Sequence, residues 1–330
     1  MKRIIVLFVI CLLCLTGCGT IAGKDVIQKF SQQYDKSTGY RLRGRFEVTN
    51  QDDVYQYDVS VDMKKDDYYK VSFLNTANQF QQIILKNDEG VFLLTPSLNK
   101  SFKFQSDWPY NNSQIYLLDA LIRDIKNDQK YTFKNQKTSY LIQTKVNYPN
   151  NRKLSYQKLL FDQNNQLKKI VVFDENDGVR MTLIVDSLTY SPKFPKDYFD
   201  LDSVIDSEQE IEEKPTGVIE DVIYPLILPD GTKLVNEEKV SKTNGERVIM
   251  TFDGEKSFLL VEETLDVFHD FTIIPTVGEP IPLMDTIGVM TDNSLSWSSG
   301  NMEYYLVSEV MNQEELVDIA QSIVGISSFK

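Results

Sequence analysis

Few side chains in this 330-residue chain are equipped for covalent chemistry. All three cysteines, Cys11, Cys14 and Cys18, lie near the N-terminus. The one histidine, His269, stands in VFHDFT. A nucleophilic triad would need its imidazole beside a serine and a carboxylate in space, which spacing does not supply. His269 reads as a surface or strand-end residue. Ser97-Leu98-Asn99-Lys100 has the S-x-x-K spacing of penicillin-binding enzymes. That chemistry needs serine and lysine one turn apart on a helix, but Pro96 precedes the serine and strand-like SFKFQ follows, so a turn between strands is expected. The acidic DENDG at 174–178 has its glycine in the fifth place and no glutamate in the twelfth, which suits a hairpin turn rather than a calcium loop. No HExxH, GxSxG or phosphate-cradling glycine loop occurs. The expectation is a protein that is not an enzyme, with no metal and no cofactor.

The cysteines have a different reading. Lys2 and Arg3 precede an unbroken apolar run from Ile4 to Leu15. As a helix that run would span about 18 Å, short of the roughly 30 Å hydrocarbon core, which favours an export signal over a membrane span. It ends in Leu15-Thr16-Gly17-Cys18, which resembles the bacterial lipobox. There the signal is cut before the cysteine, and its thiol takes a diacylglycerol. Residues 1–17 are then the signal peptide, and Cys18 is the lipidated residue, carrying acyl chains such as palmitate. Cys11 and Cys14 leave with the signal. No thiol remains for a disulfide, a thiolate metal site or a cysteine nucleophile. The expected location is the outer face of the cytoplasmic membrane, with a soluble body held there by lipid.

Net charge is −13, and loss of Lys2 and Arg3 takes the remainder to −15. A body this acidic should be repelled by nucleic acid and by an anionic bilayer, so no nucleic-acid partner is expected and the lipid must do the anchoring.

The elements follow from periodicity. Val26, Ile27, Phe30 and Tyr34 lie on one face of a helix over 24–36. Tyr40, Leu42, Gly44, Phe46 and Val48 then alternate with Arg41, Arg43, Arg45, Glu47 and Thr49, the period-two pattern of a half-buried strand. Similar strands are expected at 54–63, 68–74, 81–87, 91–95 and 100–105. A helix follows at 114–125, then strands at 131–135, 139–147, 156–162, 167–173 and 179–189. A sheet of ten or eleven strands curls. The expected fold is mainly β: a curved antiparallel half-barrel over 18–202, its concave apolar side covered by the two helices. SVIDSEQEIEEKPTG marks an exposed acidic linker over 203–216. A small α+β domain over 217–330 is expected to hold strands at 221–227, 232–240, 247–252, 256–264, 286–291, 294–298 and 302–308. FTIIPTVGEPIPLMD reads as irregular, and Asn312 caps a terminal helix with Glu315 at the capping-box position.

The stretch GVFLLTPSLNKSFKFQSDWPYNNSQIYLLDALIRDI, with the lipobox, the leading helix and the flanking strands, resembles the LolA/LolB-like lipoproteins of spore-forming Gram-positive bacteria, the GerS and YdcC type. The likeness covers about residues 18–200. It implies the half-barrel of the outer-membrane lipoprotein carrier fold and a role in sporulation or germination. It also implies action by binding a protein partner, a cell-wall amidase or an envelope regulator. SWSSGNMEYYLVSEVMNQEELVDIAQSI, with Trp297 and the Tyr304-Tyr305 pair, resembles a small domain of unknown function found behind such regions. The two-domain layout is similar to that of the periplasmic regulator RseB/MucB.

Phe102, Phe104, Trp108 and Tyr110 cluster around Pro109, just before Ile115 and Leu118. They are the candidate cavity or partner-binding residues: a core plug at the barrel mouth, or an aromatic lip with helix 114–125 as a lid. Two functions stay open. A non-catalytic binding or regulatory module predicts a filled interior and an exposed apolar or sheet-edge patch. A binder or sensor of lipid or lipoprotein acyl chains predicts a dry cavity under the helices.

Overall fold

The computed structural model describes residues 22–50, 53–110, 113–208, 217–219, 221–243, 245–299 and 302–323. Cys18, the signal peptide and residues 209–216 lie outside them.

Helix α1 (Gly23–Lys36) opens the body. Asp25 in its first turn accepts a hydrogen bond from the Ala22 N–H, a favourable place for negative charge, while Ser37 ends the helix by donating its hydroxyl to Tyr34 O. Six strands follow: β1 (Gly39–Asn50), β2 (Asp53–Lys64), β3 (Tyr68–Asn75), β4 (Gln81–Asn87), β5 (Gly90–Thr95) and β6 (Lys100–Gln105). After helix α2 (Leu118–Asn127) come β7 (Thr132–Asn135), β8 (Ser139–Lys145), β9 (Leu154–Asp162), β10 (Leu167–Asp174) and β11 (Val179–Tyr190). They form one sheet in the order β6-β5-β4-β3-β2-β1-β11-β10-β9-β8-β7, every pair antiparallel. The alternation in β1 is realised: Tyr40, Leu42, Phe46 and Val48 are buried, and the arginines face the other way. The buried faces of these strands form one core with Val26 and Phe30 of α1 and Leu118, Leu121, Ile122 and Ile125 of α2. This is the expected curved shell covered by helices.

Two local expectations change in this part of the chain. Helix α2 starts at Leu118 rather than at 114; Gln114–Leu117 is a turn closed by Leu117 N–H donating to Gln114 O. The segment from 203 begins as helix, α3 (Leu201–Glu208), because Leu201, Val204 and Ile205 pack on Ile83, Leu85, Phe92 and Leu94. These last four point to the convex side of β4 and β5, which explains why both strands read as continuous apolar runs: both faces are covered. On the same convex side, Asp62 accepts from Arg41 (2.6 Å), Arg43 (2.8 Å) and the Tyr198 hydroxyl (2.7 Å), tying strand and covering segment together.

The C-terminal part forms a second sheet from β12 (Lys233–Lys242), β13 (Gly245–Asp253), β14 (Phe258–Thr264), β16 (Glu279–Pro282), β17 (Ile287–Met290), β18 (Ser294–Ser299) and β19 (Met302–Val307), in the order β12-β13-β14-β19-β18-β17-β16. Helix α4 (Gln313–Gln321) buries Leu316, Val317, Ile319 and Ala320 on one face of it. Asn312 Oδ1 accepts from Glu315 N–H (3.0 Å) and Glu315 Oε2 from Asn312 N–H (2.9 Å), the expected capping box. The segment expected as a strand at 221–227 is irregular, with Val222 and Ile223 half-buried against the second core and Tyr224, Leu226 and Ile227 exposed. The segment expected to be irregular carries β15 (Thr272–Val277), which pairs in parallel with β6 and becomes the twelfth strand of the large sheet. An edge position tolerates Pro275, whose missing N–H costs no ladder bond there.

The two sheets are joined by polar contacts and by packing. Gln82 on β4 donates to Ile287 O (3.0 Å) and accepts from Thr286 Oγ1 (3.0 Å) and Ile287 N–H (2.6 Å). Tyr57 donates to Met284 O (2.7 Å), Asn75 to Asp285 O (3.1 Å) and Asn150 to Glu279 Oε1 (2.5 Å). Lys100 pairs with Glu303, and Ile287 and Val289 belong to the core of the large sheet.

Glu262 on β14 is fully buried, with one carboxylate oxygen accepting from Ile223 N–H (3.0 Å) and the other without a partner among the described residues. Burial raises it from the ordinary 4.5 to about 7. Between those values the folded state holds more protons than the unfolded one, so this group's contribution to stability is greatest below its unfolded pKa and falls as pH rises through about 7. Glu262→Gln should therefore flatten the fall in melting temperature between acid and neutral pH, a gain of about 1–2 kcal/mol above neutrality after allowance for screening. Thermal melts of both forms across that range check it; parallel curves would contradict it.

Candidate functional site

The aromatic segment after β6 is mostly interior. Trp108 is completely buried, its ring edge-on to Tyr69 at 5.6 Å. Phe104, Ile115 and Leu118 sit in the same core, with Phe102 half-buried against it. Tyr110 alone is half exposed. Its hydroxyl donates to Asp67, and Lys86 holds the corner by bonding Asp67 (2.7 Å) and Trp108 O (2.8 Å) while lying 4.6 Å over the Tyr110 ring. Burial pushes the Tyr110 hydroxyl up to about 12. Beneath Trp108 the concave face is occupied by Tyr40, Tyr69, Tyr116, Phe46 and Phe73, with Tyr116 edge-on to Phe46 and Phe73. Five of the six residues thus share or border one packed core.

The residues with spacing for catalysis are dispersed. His269 is almost fully exposed and, among the described residues, meets Asp270 (3.1 Å). Ser97 lies in a 3-10 turn, Pro96–Leu98, between β5 and β6, as its context predicts. Lys100 is engaged with Glu303. DENDG is the β10–β11 turn, where Asp174 accepts from Asn176 N–H (2.9 Å), Gly178 N–H (2.7 Å) and Arg180 (2.7 Å). These bonds outweigh its desolvation and hold the carboxyl below its usual range.

Two clefts open at the junction of the sheets. One, of about 520 Å³, has Phe102 and Lys100 on one side and Ile249, Val261 and Tyr305 on the other. The second, of about 260 Å³, lies between the β8–β9 and β10–β11 turns on one side and β16 and α4 on the other. Tyr148, Asn151, Met181, Pro280 and Val317 are among its lining residues. Sequence periodicity gave no sign of either cleft, because each is built from turns and strand ends far apart in the chain.

A run of exposed apolar side chains adjoins the smaller cleft, whose lining includes Ile227. Leu226 is 76% exposed, and Tyr224, Ile227 and Leu228 beside it are also exposed. Leu234 and Val235 on the edge strand β12 are exposed too. The stretch is pinned rather than loose: Leu226 N–H donates to Ser322 O at the end of α4 (3.1 Å), and Tyr224 donates to Glu237 on β12 (2.6 Å). Its apolar composition reads as a strand, but Pro225 and Pro229 deny it the N–H groups a ladder needs. Such an apolar cluster held out to solvent is a candidate interaction surface.

No family model matches the sequence. The chain is 35% identical over 320 residues to the sporulation protein YdcC of Bacillus subtilis, an alignment that covers 96% of this chain and 94% of that protein. Among solved structures, MucB in its complex with MucA from Pseudomonas aeruginosa is 12% identical, with 89% of this chain and 96% of that one covered and a TM-score of 0.33. The GerS lipoprotein complex with the CwlD amidase from Clostridioides difficile gives 15% identity over 54% of this chain and 97% of that one, TM-score 0.28. A LolA superfamily protein from Nitrosomonas europaea gives 11% over 56% and 100%, TM-score 0.31. At such scores the likeness to the three structures is loose.

Proposed function

The chain belongs to the family of the sporulation protein YdcC, and on that premise we propose that it is a non-catalytic binding module, held by a lipid on Cys18 at the outer face of the cytoplasmic membrane, that regulates or stabilises a protein partner during sporulation. The partner class is the one the sequence resemblance implies, a cell-wall amidase or an envelope regulator. The observation that carries the reading is the pairing of a concave face packed with aromatic side chains and a pinned, solvent-facing apolar patch. Trp108 and the aromatic residues below it occupy the concave face where an acyl chain would lie, while Tyr224, Leu226 and Leu228 present apolar surface to solvent. A tether suits this role, because it confines encounters to partners at the same surface.

The test is capture of a partner from envelope extracts of a sporulating culture. Leu226→Asp with Leu228→Asp should lower recovery at least about tenfold, the loss expected from burying an unpaired charge in an interface. The melting temperature should hardly change, since these side chains are largely in water already. Undiminished capture by the double variant would contradict the assignment of the surface.

A further inference from the structure

Charge is unevenly placed in this acidic chain. The net charge is −13, yet residues 126–145 hold five lysines and one ionised acid outside the core, Asp128. We propose that the β7 edge of the large sheet, with Lys24, Lys130, Lys134 and Lys137 around it, is the face that the protein lays on an anionic phospholipid bilayer. The proposal rests on the N-terminal tether of the reading above. It adds that the tethered body has a fixed side toward the lipid.

The place where the tether joins the body is the first support. Gly23, the first residue of α1, lies so close to β7 that a Cβ there would stand 2.7 Å from Phe133. Cys18 comes four residues before Ala22, and at about 3.5 Å per extended residue the two lie within roughly 14 Å of each other. A lipid on Cys18 therefore keeps this edge near the headgroups. Charges beside a surface are felt across a Debye length of about 8 Å at physiological salt, a distance of the same order.

The make-up of the surface is the second support. Lys29 Nζ donates to Asn164 O (3.4 Å), and Gln163 Nε2 donates to Lys137 O (3.3 Å). The first turns of α1, the β7–β8 hairpin and the β9–β10 turn thus share one surface. Lys24, Lys130, Lys134 and Lys137 are exposed on it and make no ion pair among the described residues. The carboxylates nearby are turned onto backbone N–H groups: Asp25 onto Ala22 (3.0 Å), Asp128 onto Lys130 (2.9 Å) and Asp162 onto Asn164 (2.8 Å). The lysines outnumber them, so the local field is positive although that of the whole body is negative. Strand addition by a protein is disfavoured at this edge, because β7 is four residues long and carries Lys134, the short charged edge that resists pairing. The tether brings lipid to the same edge ahead of any acidic protein.

The test reconstitutes the full chain into vesicles of equal parts phosphatidylglycerol and phosphatidylcholine, or of phosphatidylcholine alone, and reads acetylation of each lysine by mass spectrometry. Lys24, Lys130, Lys134 and Lys137 should react at least about fivefold more slowly on the anionic vesicles, with Lys196 and Lys233 unchanged. The difference should vanish at about 1 M salt. Lys130→Gln with Lys134→Gln and Lys137→Gln should return Lys24 to its rate on neutral vesicles. The melting temperature should hardly change, because all three side chains are exposed. Equal rates on the two vesicles, slowing spread evenly over all lysines, or slowing at Lys24 that survives the triple substitution would overturn the proposal. The mass of the N-terminal peptide in the same digest reads the lipid on Cys18 separately. A chain held by its apolar residues 4–15 is tethered from the same end, so the lysine pattern decides the proposal in either case. Leu226→Asp with Leu228→Asp should leave that pattern intact, which keeps failure here distinct from failure of the partner surface.

Discussion

Replacing Trp108 with alanine is expected to destabilise the protein by about 3–5 kcal/mol, the range for removing a fully buried large aromatic side chain. Trp108 is the largest fully buried side chain. It sits where β3, the segment after β6 and α2 converge, against the Tyr69 ring. The cavity left behind could close only if α2 moved toward the sheet, and Leu118, Leu121 and Ile122 already fill that space. Chemical denaturation of parent and variant measures the difference. If the shell were a hollow carrier, with Trp108 as a movable lip, the loss would be under about 1 kcal/mol, as for a half-exposed site, and acyl-chain uptake would change instead. The experiment therefore discriminates plug from lid.

The second large effect is expected at Gln82. This one side chain makes three hydrogen bonds to Thr286 and Ile287, and it is nearly fully buried. Gln82→Ala leaves the Ile287 N–H, the Ile287 carbonyl and the Thr286 hydroxyl unpaired in the junction, a cost of about 2–4 kcal/mol. That cost falls on the contact between the sheets and not within either. Calorimetry should show the transition of the variant broadened or split relative to that of the parent chain. Gln82→Glu retains the acceptor and loses the donor, and should fall between the two. A melt indistinguishable from the parent would show that β15 and the packing of Ile287 and Val289 hold the sheets together without it.

Much of the first sheet is legible in the sequence because its alternation is strict. Tyr40, Leu42, Phe46 and Val48 can sit on only one face, and a one-residue slip would expose all of them. The α4 boundary is legible for a similarly local reason, the Asn312–Glu315 capping box. What escapes is decided by tertiary partners. In β15, Pro275 argues against a strand, and only the free edge of β6 makes one. Helix α3 lies in an acidic run and forms because Leu201 and Val204 find an apolar convex face to cover. The aromatic cluster was visible as a cluster, but whether Trp108 lines a cavity or fills it depends on Tyr69 and on α2, neither adjacent to it in sequence.

The central claim is that this is a filled shell that binds a protein through an exposed surface rather than a container for lipid. Native mass spectrometry of the full chain, affinity-purified from sporulating envelopes, tests it most directly. The account predicts a stoichiometric protein complex with no non-covalently bound lipid, and disappearance of that complex from the Leu226→Asp, Leu228→Asp chain. A chain that carries additional non-covalent acyl lipid, with no protein bound, would contradict it.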